Sequence, residues 1–472
     1  MVLRLNTNID KVDVNKIAEE INKRNQKVNF DSERLVQVNA WCNSTMNFLK
    51  RYINTITNHG KDDVINFNGR NNSPNHITNR ILEYYNDASW VKKLVITNTG
   101  YRTSSLETLE ALKGIAKSKN LDTSIIDAIS MYNQTQFIVK NNLNAFNLSN
   151  IQTNVLTCSP RINIANTGRM TTSNPNIQGF VNIVKKCMIA DEGWKIVSID
   201  ITGQEAHILL FGIMENKKLT EGYMKYKDPY KAFLHAADMG ITPVIRKMVK
   251  VPVLAAINGM SIGGLKSRLR ETYNKMDEES RKEIDKHGGY EHIGTTIYNL
   301  INNDSGYQKI VVNHTKKLGT KEAVRKGLFG SEFPLNNSST KNGKINQLKN
   351  GFFQVTAAEI LSLSIKTLLD MNIENKIKFL VPIYDEVVLM VKDDGELVDN
   401  LAIIENTFKP IVNNWARFQG TPIVDKHYDD GDPNKIITIN DLKFLTLNEE
   451  QLNELNEVED FINSKEELNW MW

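Results

Sequence analysis

"FLVPIYDEVVLMV" occupies Phe379–Val391 and sets two adjacent acids, Asp385 and Glu386, between two apolar runs. The flanking runs read as strands, so the acids fall inside a strand or at the tip of a β-hairpin. Burial without a partner costs about 2–7 kcal/mol for a neutral polar group and more for a charge. Either something positive offsets that cost, or the pair sits at a turn. The first reading is a metal site; the second is an acidic hairpin tip.

A second acid-bearing strand lies upstream. "WKIVSIDITGQEAHILL" (Trp194–Leu210) places Asp200 at the end of an apolar run, with Glu205 five residues later. Were the two strands neighbours, Asp200 and Asp385 would come together. Two carboxylates clamping a pair of divalent cations is an arrangement used for in-line displacement at phosphorus, and the cations would also compensate the buried charge. Acid-bearing strands are common, and a purely structural reading stands beside this one.

Bulk properties narrow the class. A chain of 472 residues is too long for one ordinary core, which predicts roughly three domains. A composition of 40% hydrophobic and 24% charged residues is that of a globular protein. No apolar stretch approaches the ~20 residues of a membrane span, and the polar N-terminus "MVLRLNTNIDKVDVNK" does not resemble a signal peptide. Cys42, Cys158 and Cys187 are far apart, which argues against a zinc site and for a reducing compartment. The net charge of +3 does not by itself announce nucleic acid, but the acidic segment "LNEEQLNELNEVEDFINSKEEL" leaves the rest of the chain more basic.

The pattern divides into blocks. Helical periodicity runs from Ser32 to about Ile56 and returns in "SLETLEALKGIAKS", which opens on a Ser-x-x-Glu style cap, and in "SIIDAISMYNQTQFIVKNNL". Val155 to about Gly212 reads as β-like, 220–350 as helical and basic, and strand character resumes after Phe379. Beyond about Lys435 comes an acidic helical tail ending in Trp470 and Trp472. In "ITPVIRKMVKVPVLAAINGMSIGGL", Arg246, Lys250, Leu254 and Asn258 recur at steps of four, one drifting row on a helix. Two long cations on one helical face suit a triphosphate; they equally suit an ordinary solvated face.

Taken together the motifs resemble those of family A DNA polymerases, the group of bacterial DNA polymerase I and many phage replicases. "TGRMTTSNPNIQGF" (Thr167–Phe180) is similar to that family's T-G-R-L-S-S-x-x-P-N-L-Q-N-I segment, and "DITGQEAH" (Asp200–His207) to its first catalytic motif, D-x-S-x-x-E-x-R. "RKMVKVPVLAAINGMS" resembles the fingers helix, "NGFFQVTAAEIL" (Asn350–Leu361) the N-x3-Q-G-T-A-A-D helix, and "YDE" the final H-D-E. Fainter echoes are "INFNGRNNSPNHI" of the thumb and "LFGSEFPL" of the fingers. These appear in the family's order.

The resemblance implies an α+β, multi-domain right-hand polymerase with an antiparallel β palm, helical fingers and a helical thumb. Its expected divisions are 1–30, N-terminal segment of the palm; 31–150, thumb; 151–215, first part of the palm; 216–350, fingers; 351–435, second part of the palm; and 436–472, acidic tail. It implies that Asp200, Asp385 and the carbonyl of Ile201 hold two Mg²⁺ ions, with Mn²⁺ able to substitute, and that Glu386 supports them. Arg246 and Lys250 would bind the phosphates, Lys250 protonating the leaving group, while Gln204, Tyr230, Leu254 and Asn258 would line the nucleotide site. Glu205 would wall off the 2′ position and select deoxyribonucleotides. Arg169, Thr172, Asn176, Gln178, Asn350, Gln354 and Tyr384 would meet the primer–template, partly in the minor groove, where acceptors are similar for every base pair.

Departures from the family pattern bear on nucleotide handling. His207 stands where Arg is usual and Tyr384 where His is usual; Leu254 and Asn258 replace two rings; Ser331 and Glu332 replace a basic pair. Pro252 falls inside the fingers helix, a residue that disfavours a straight helix by about 3 kcal/mol. Thumb-like sequence beginning near Asp31 leaves no room for a proofreading exonuclease, which predicts a phage-type enzyme working as a monomer in the cytoplasm of a bacterial host. Expected partners are primer–template DNA and dNTPs, no membrane, and a replication accessory protein or separate exonuclease on the tail. The alternatives are a reverse transcriptase or lesion-bypass polymerase of the same fold, a single-subunit RNA polymerase, and a degenerate DNA-binding homologue.

Overall fold

The computed structural model describes residues 13–24, 27–68, 72–98, 100, 103–149, 154–157, 159–161, 167–274, 276–320, 323–336, 340–408, 417–418, 423–428, 439–443, 445 and 447–463. Cys158, Trp470 and Trp472 lie outside them. The chain forms two compact units, one of Met1–Val28, Leu156–Gln178 and Ala190–Lys426, the other of Asn29–Val155, Gly179–Ile189 and His427–Trp472. The expected borders at 215/216 and 350/351 fall within the first unit, and the expected separate tail belongs to the second.

The first unit is built on an antiparallel sheet. Trp194–Thr202 is its inner strand, with Glu386–Lys392 on one side and the short strands Arg417–Phe418 and Ile423–Asp425 on the other. Ile377–Ile383 pairs with the far edge of Glu386–Lys392. "VVLMV" (Val387–Val391) is buried at every position, which explains its unbroken apolar run where a half-exposed strand would alternate. An α+β architecture with an antiparallel sheet is thus present.

Across this unit the 30-residue helix Lys341–Asp370 carries Leu348, Phe353, Val355, Ile360, Leu361 and Ile365 into the core. Thr340 caps it, its hydroxyl accepting the Gly343 N–H at 3.1 Å. The helix is long and apolar enough to cross a membrane, but 72% of its apolar window is buried within the fold. The apolar-run argument overlooked it because Gln354, Thr356, Glu359, Ser362 and Ser364 interrupt its apolar residues. Val14–Lys23 packs against it through Val14, Ile17, Ala18 and Ile21.

Between sheet strands the chain makes the expected helical block, including Pro243–Ile257, Ile262–Asn274 and Gly289–Asn302. It also contains a small hairpin, Val324–Lys326 with Glu332–Pro334, which periodicity did not separate from the helices. Pro243–Ile257 starts with a Thr242 cap and Pro at its first position and continues through Pro252, which is buried. The β-like reading of Val155–Gly212 is corrected at Asn182–Lys185 and Gln204–Gly212, both helices. In the latter Ala206–Phe211 are all buried, so no helical period marks the sequence.

The second unit is largely helical. Ser32–Ile56, capped by Asp31, packs on Ser124–Asn141. The helix Leu106–Ser118 is capped by Ser105 onto Thr108, one residue later than the Ser-x-x-Glu pattern implied. Phe30, Phe146 and Phe180 form an aromatic cluster with centroids 4.8–6.2 Å apart. Cys42 and Cys187 are buried free thiols.

Candidate active site

The opening stretch is a hairpin. Ile383 pairs with Glu386, leaving Tyr384 and Asp385 as a two-residue turn. Tyr384 takes φ +56° at the first turn position, a conformation usually left to glycine, and the residue is 56% exposed. Beyond the turn Glu386 stands opposite Asp200, Val387 opposite Ile199, and so on to Lys392 opposite Trp194. The Ile201 N–H donates to the Asp385 carbonyl at 3.4 Å, so Asp200 and Asp385 lie at the same end of adjacent strands. The hairpin-tip reading of the acid pair therefore holds, and the turn brings Asp385 beside Asp200 on the adjacent strand.

The two acids of the pair have different surroundings. Asp385 keeps a third of its side chain exposed. Glu386 is buried and accepts a hydrogen bond from the Ser198 hydroxyl on the adjacent strand. Its desolvation is offset internally, and it is a support for the strand end.

Arg169 completes the cluster. Its Nη2 is 3.0 Å from Glu205 Oε1 and 3.2 Å from Asp385 Oδ1. Gly168 delivers it there with φ +75°, and a Cβ at this position would lie 2.8 Å from the Phe333 ring. Glu205 sits in the first turn of Gln204–Gly212, after Gly203 at φ +61°. Burial raises the Glu205 pKa; Arg169 opposes that shift and the Asp385 charge adds to it.

Several residues expected to face a substrate are turned inward. Gln178 is buried, and its Nε2 donates to the carbonyls of Met170 at 2.8 Å and Pro382 at 2.6 Å. Those donors join the Arg169 segment to the strand leading into the Asp385 turn and are not free for a minor groove. Thr172 is also buried; its hydroxyl bonds Asn176 at 3.3 Å and accepts the Gln178 N–H. Gln204 is 2% exposed and donates to the Ala357 carbonyl at 3.1 Å. Tyr230, also buried, lies under Arg246, with 5.2 Å between guanidinium and ring centroid, and burial pushes its hydroxyl up to about 12. All four, expected at the nucleotide or the DNA, are buried in this structure.

The four residues of the fingers-like row have different surroundings. Arg246 is engaged with Asp228, at 2.6 Å through Nη2 and 2.8 Å through Nε, while Lys250 is exposed one turn further on. Leu254 is half-buried against the core. Asn258 is the C-cap residue, its Nδ2 donating to the Leu254 carbonyl at 2.8 Å. His207 is packed with Phe211 and Tyr223, its Nδ1 3.0 Å from the Gly203 carbonyl. Asn350 and Gln354 are half-buried, a turn apart on the long helix.

Glu359 was not singled out in the sequence. It is fully buried on the long helix, and its carboxylate accepts the N–H groups of Phe329 at 2.9 Å and Ser331 at 2.6 Å. Thr356 takes the Leu328 N–H at 2.9 Å. The "QVTAAE" and "LFGSEF" segments were both legible as motifs; that one holds the other was not.

A divalent cation fits the strand ends by donor chemistry. Among the described residues there is no group of three or more His, Cys, Asp or Glu side chains suited to a metal. Mg²⁺, however, is commonly held by one or two carboxylates with waters and substrate phosphates completing its shell. Asp200, Asp385 and the Ile201 carbonyl offer oxygen donors of that kind.

The chain has its fold in common with the POL domain of Pol1 from M. smegmatis, solved in complex with DNA primer-template and dNTP, at TM-score 0.59, 16% identity, 88% of this chain and 69% of that one. Residues 33–412 match the model of DNA polymerase family A. The chain belongs to that family. It is 25% identical over 338 residues to DNA polymerase I of Synechocystis sp., a match covering 67% of this chain and 33% of that protein, so it spans about a third of that relative's length.

Proposed function

We propose that this chain extends the 3′-hydroxyl of a primer on a DNA template, adding deoxyribonucleotides with the help of two Mg²⁺ ions. The observation that carries the reading is the placement of Asp385 in the turn beside Asp200, on adjacent strands of a family A polymerase sheet. Bound there, divalent ions would acidify the primer hydroxyl and neutralise charge on the triphosphate.

The chain's own residues would divide the work. Asp200 and Asp385, with the Ile201 carbonyl, hold the cations; Glu386 and Ser198 fix the strand end beneath them. Lys250, exposed on the fingers-like helix, meets the triphosphate. Glu205 stands beside the sugar and excludes a 2′-hydroxyl. Tyr384, exposed at the turn, presents a ring toward the primer terminus. The likeness to a polymerase solved with primer-template and dNTP supports these as the substrates.

The test is primer extension with Mg²⁺ or Mn²⁺ on matched DNA and RNA templates, with dNTPs or rNTPs. Extension of DNA by dNTPs is expected to dominate. Preference for an RNA template would move the reading to reverse transcription, preference for rNTPs would move it to an RNA polymerase, and no extension under any combination would refute it.

A further inference from the structure

Arg169 is shared between two carboxylates with different assigned tasks. One nitrogen, Nη2, reaches Glu205 at 3.0 Å and Asp385 at 3.2 Å. Among the described residues these are its polar partners, and its buried Nε makes no hydrogen bond. The guanidinium is thus set by the two acids and by the backbone that delivers it. That backbone is held on both sides, by Gly168 against Phe333 and by Gln178, which ties Met170 to Pro382 three residues before Asp385.

A guanidinium in contact with Asp385 competes with a divalent cation for the same oxygen. Both cannot approach one carboxylate closely without like-charge repulsion. We propose that Arg169 is the counter-cation of the metal-free site and is exchanged for metal at Asp385. On leaving Asp385 it is left to Glu205 alone, so metal loading and the setting of the sugar-facing carboxylate are coupled through one side chain. The proposal rests on the polymerase reading for the role of Asp385.

The experiment is Mn²⁺ binding to the full chain without DNA, followed by electron paramagnetic resonance of the free ion. Arg169→Gln is expected to tighten Mn²⁺ roughly three- to tenfold, the scale of a half-exposed ion pair. A misfolded variant would lose the ion, so tightening cannot come from damage. Glu205→Gln is expected to weaken binding, because Arg169 then serves Asp385 alone, and to have no further effect in the Arg169→Gln background. Asp385→Asn separates the two ideas. If it leaves Mn²⁺ affinity unchanged, the metal-ligand reading of Asp385 fails. If it weakens binding while Arg169→Gln does not tighten it, the exchange is overturned and the metal-ligand reading stands. An equal loss from Glu205→Gln in both backgrounds would overturn the coupling.

Discussion

Asp200 and Glu386 are directly opposed across two antiparallel strands, and Asp385 projects from the turn one residue before that pairing. The register gives the three acids different surroundings. Glu386 is buried on Ser198, whereas Asp385 stays a third exposed beside Arg169.

Asp200→Ala and Asp385→Ala are each expected to lower primer extension by at least about 10²–10³-fold, the scale of deleting one electrostatic group from a transition state. Primer–template affinity should change little, since phosphate contacts elsewhere supply most nucleic-acid affinity. Extension rates and a parallel gel-shift titration check both halves. Near-normal extension by either variant would remove the two-carboxylate site.

Glu205 gives a prediction about sugar choice. If its bulk excludes a 2′-hydroxyl, Glu205→Ala should raise ribonucleotide incorporation by roughly 10- to 100-fold relative to deoxyribonucleotides, the range one hydroxyl-sized discrimination is worth. Glu205→Gln keeps the bulk and loses the charge that Arg169 pairs with. It should retain most of the selectivity. Competition assays with dCTP and CTP distinguish the two variants, and equal selectivity in all three proteins would assign Glu205 to structure alone.

These residues also mark the limit of what the sequence discloses. The two acid-bearing strands were legible from their apolar runs, and the Arg246–Asn258 row from its fourfold spacing. The register was not, because the turn that sets it has no Asn-Gly or Gly; Tyr384 takes the positive φ itself. The pairs Arg169–Glu205 and Arg246–Asp228 join residues far apart in the chain, and nothing local announces them. Gln178 and Gln204 look like substrate contacts by residue type. Their amides are instead spent on buried backbone carbonyls, which only the packed structure can reveal.

Glu359 predicts a pH dependence of stability. Its burial outweighs its two backbone donors and raises its pKa above the ordinary 4.5. The folded state therefore binds the proton more tightly than the unfolded one. The stability this contributes is complete below pH 4.5 and is lost as pH rises through the folded value. Glu359→Gln lacks the titration and, with one acceptor oxygen where two were used, should cost about 1–3 kcal/mol. The gap between wild type and variant should be widest below pH 4.5 and shrink toward neutrality in urea melts. A gap that widens toward neutrality would reverse the assignment.

The C-terminal helices bear on the second unit. The acidic tail was expected to dock a replication accessory protein or a separate exonuclease. In the structure Glu449–Asn463 packs on the Ser32–Ile56 helix, with Leu442, Leu445 and Leu455 buried. Lys61 meets Glu450 at 2.6 Å and Arg51 meets Glu454 at 3.3 Å. These ion pairs are largely solvated and contribute little. The leucines matter more, at roughly 1.5–3 kcal/mol for each fully buried side chain. Truncation after residue 435 should therefore lower the melting temperature of the second unit, whereas Glu450→Gln with Glu454→Gln should leave it within about a degree. If the tail served only as a detachable electrostatic mimic, the ranking would invert: the charge variants would tighten DNA binding as much as the truncation, with no loss of stability in either. Calorimetry paired with a DNA titration of all three proteins decides between them, and an unchanged melting temperature on truncation would show that the tail is not part of the second unit's core.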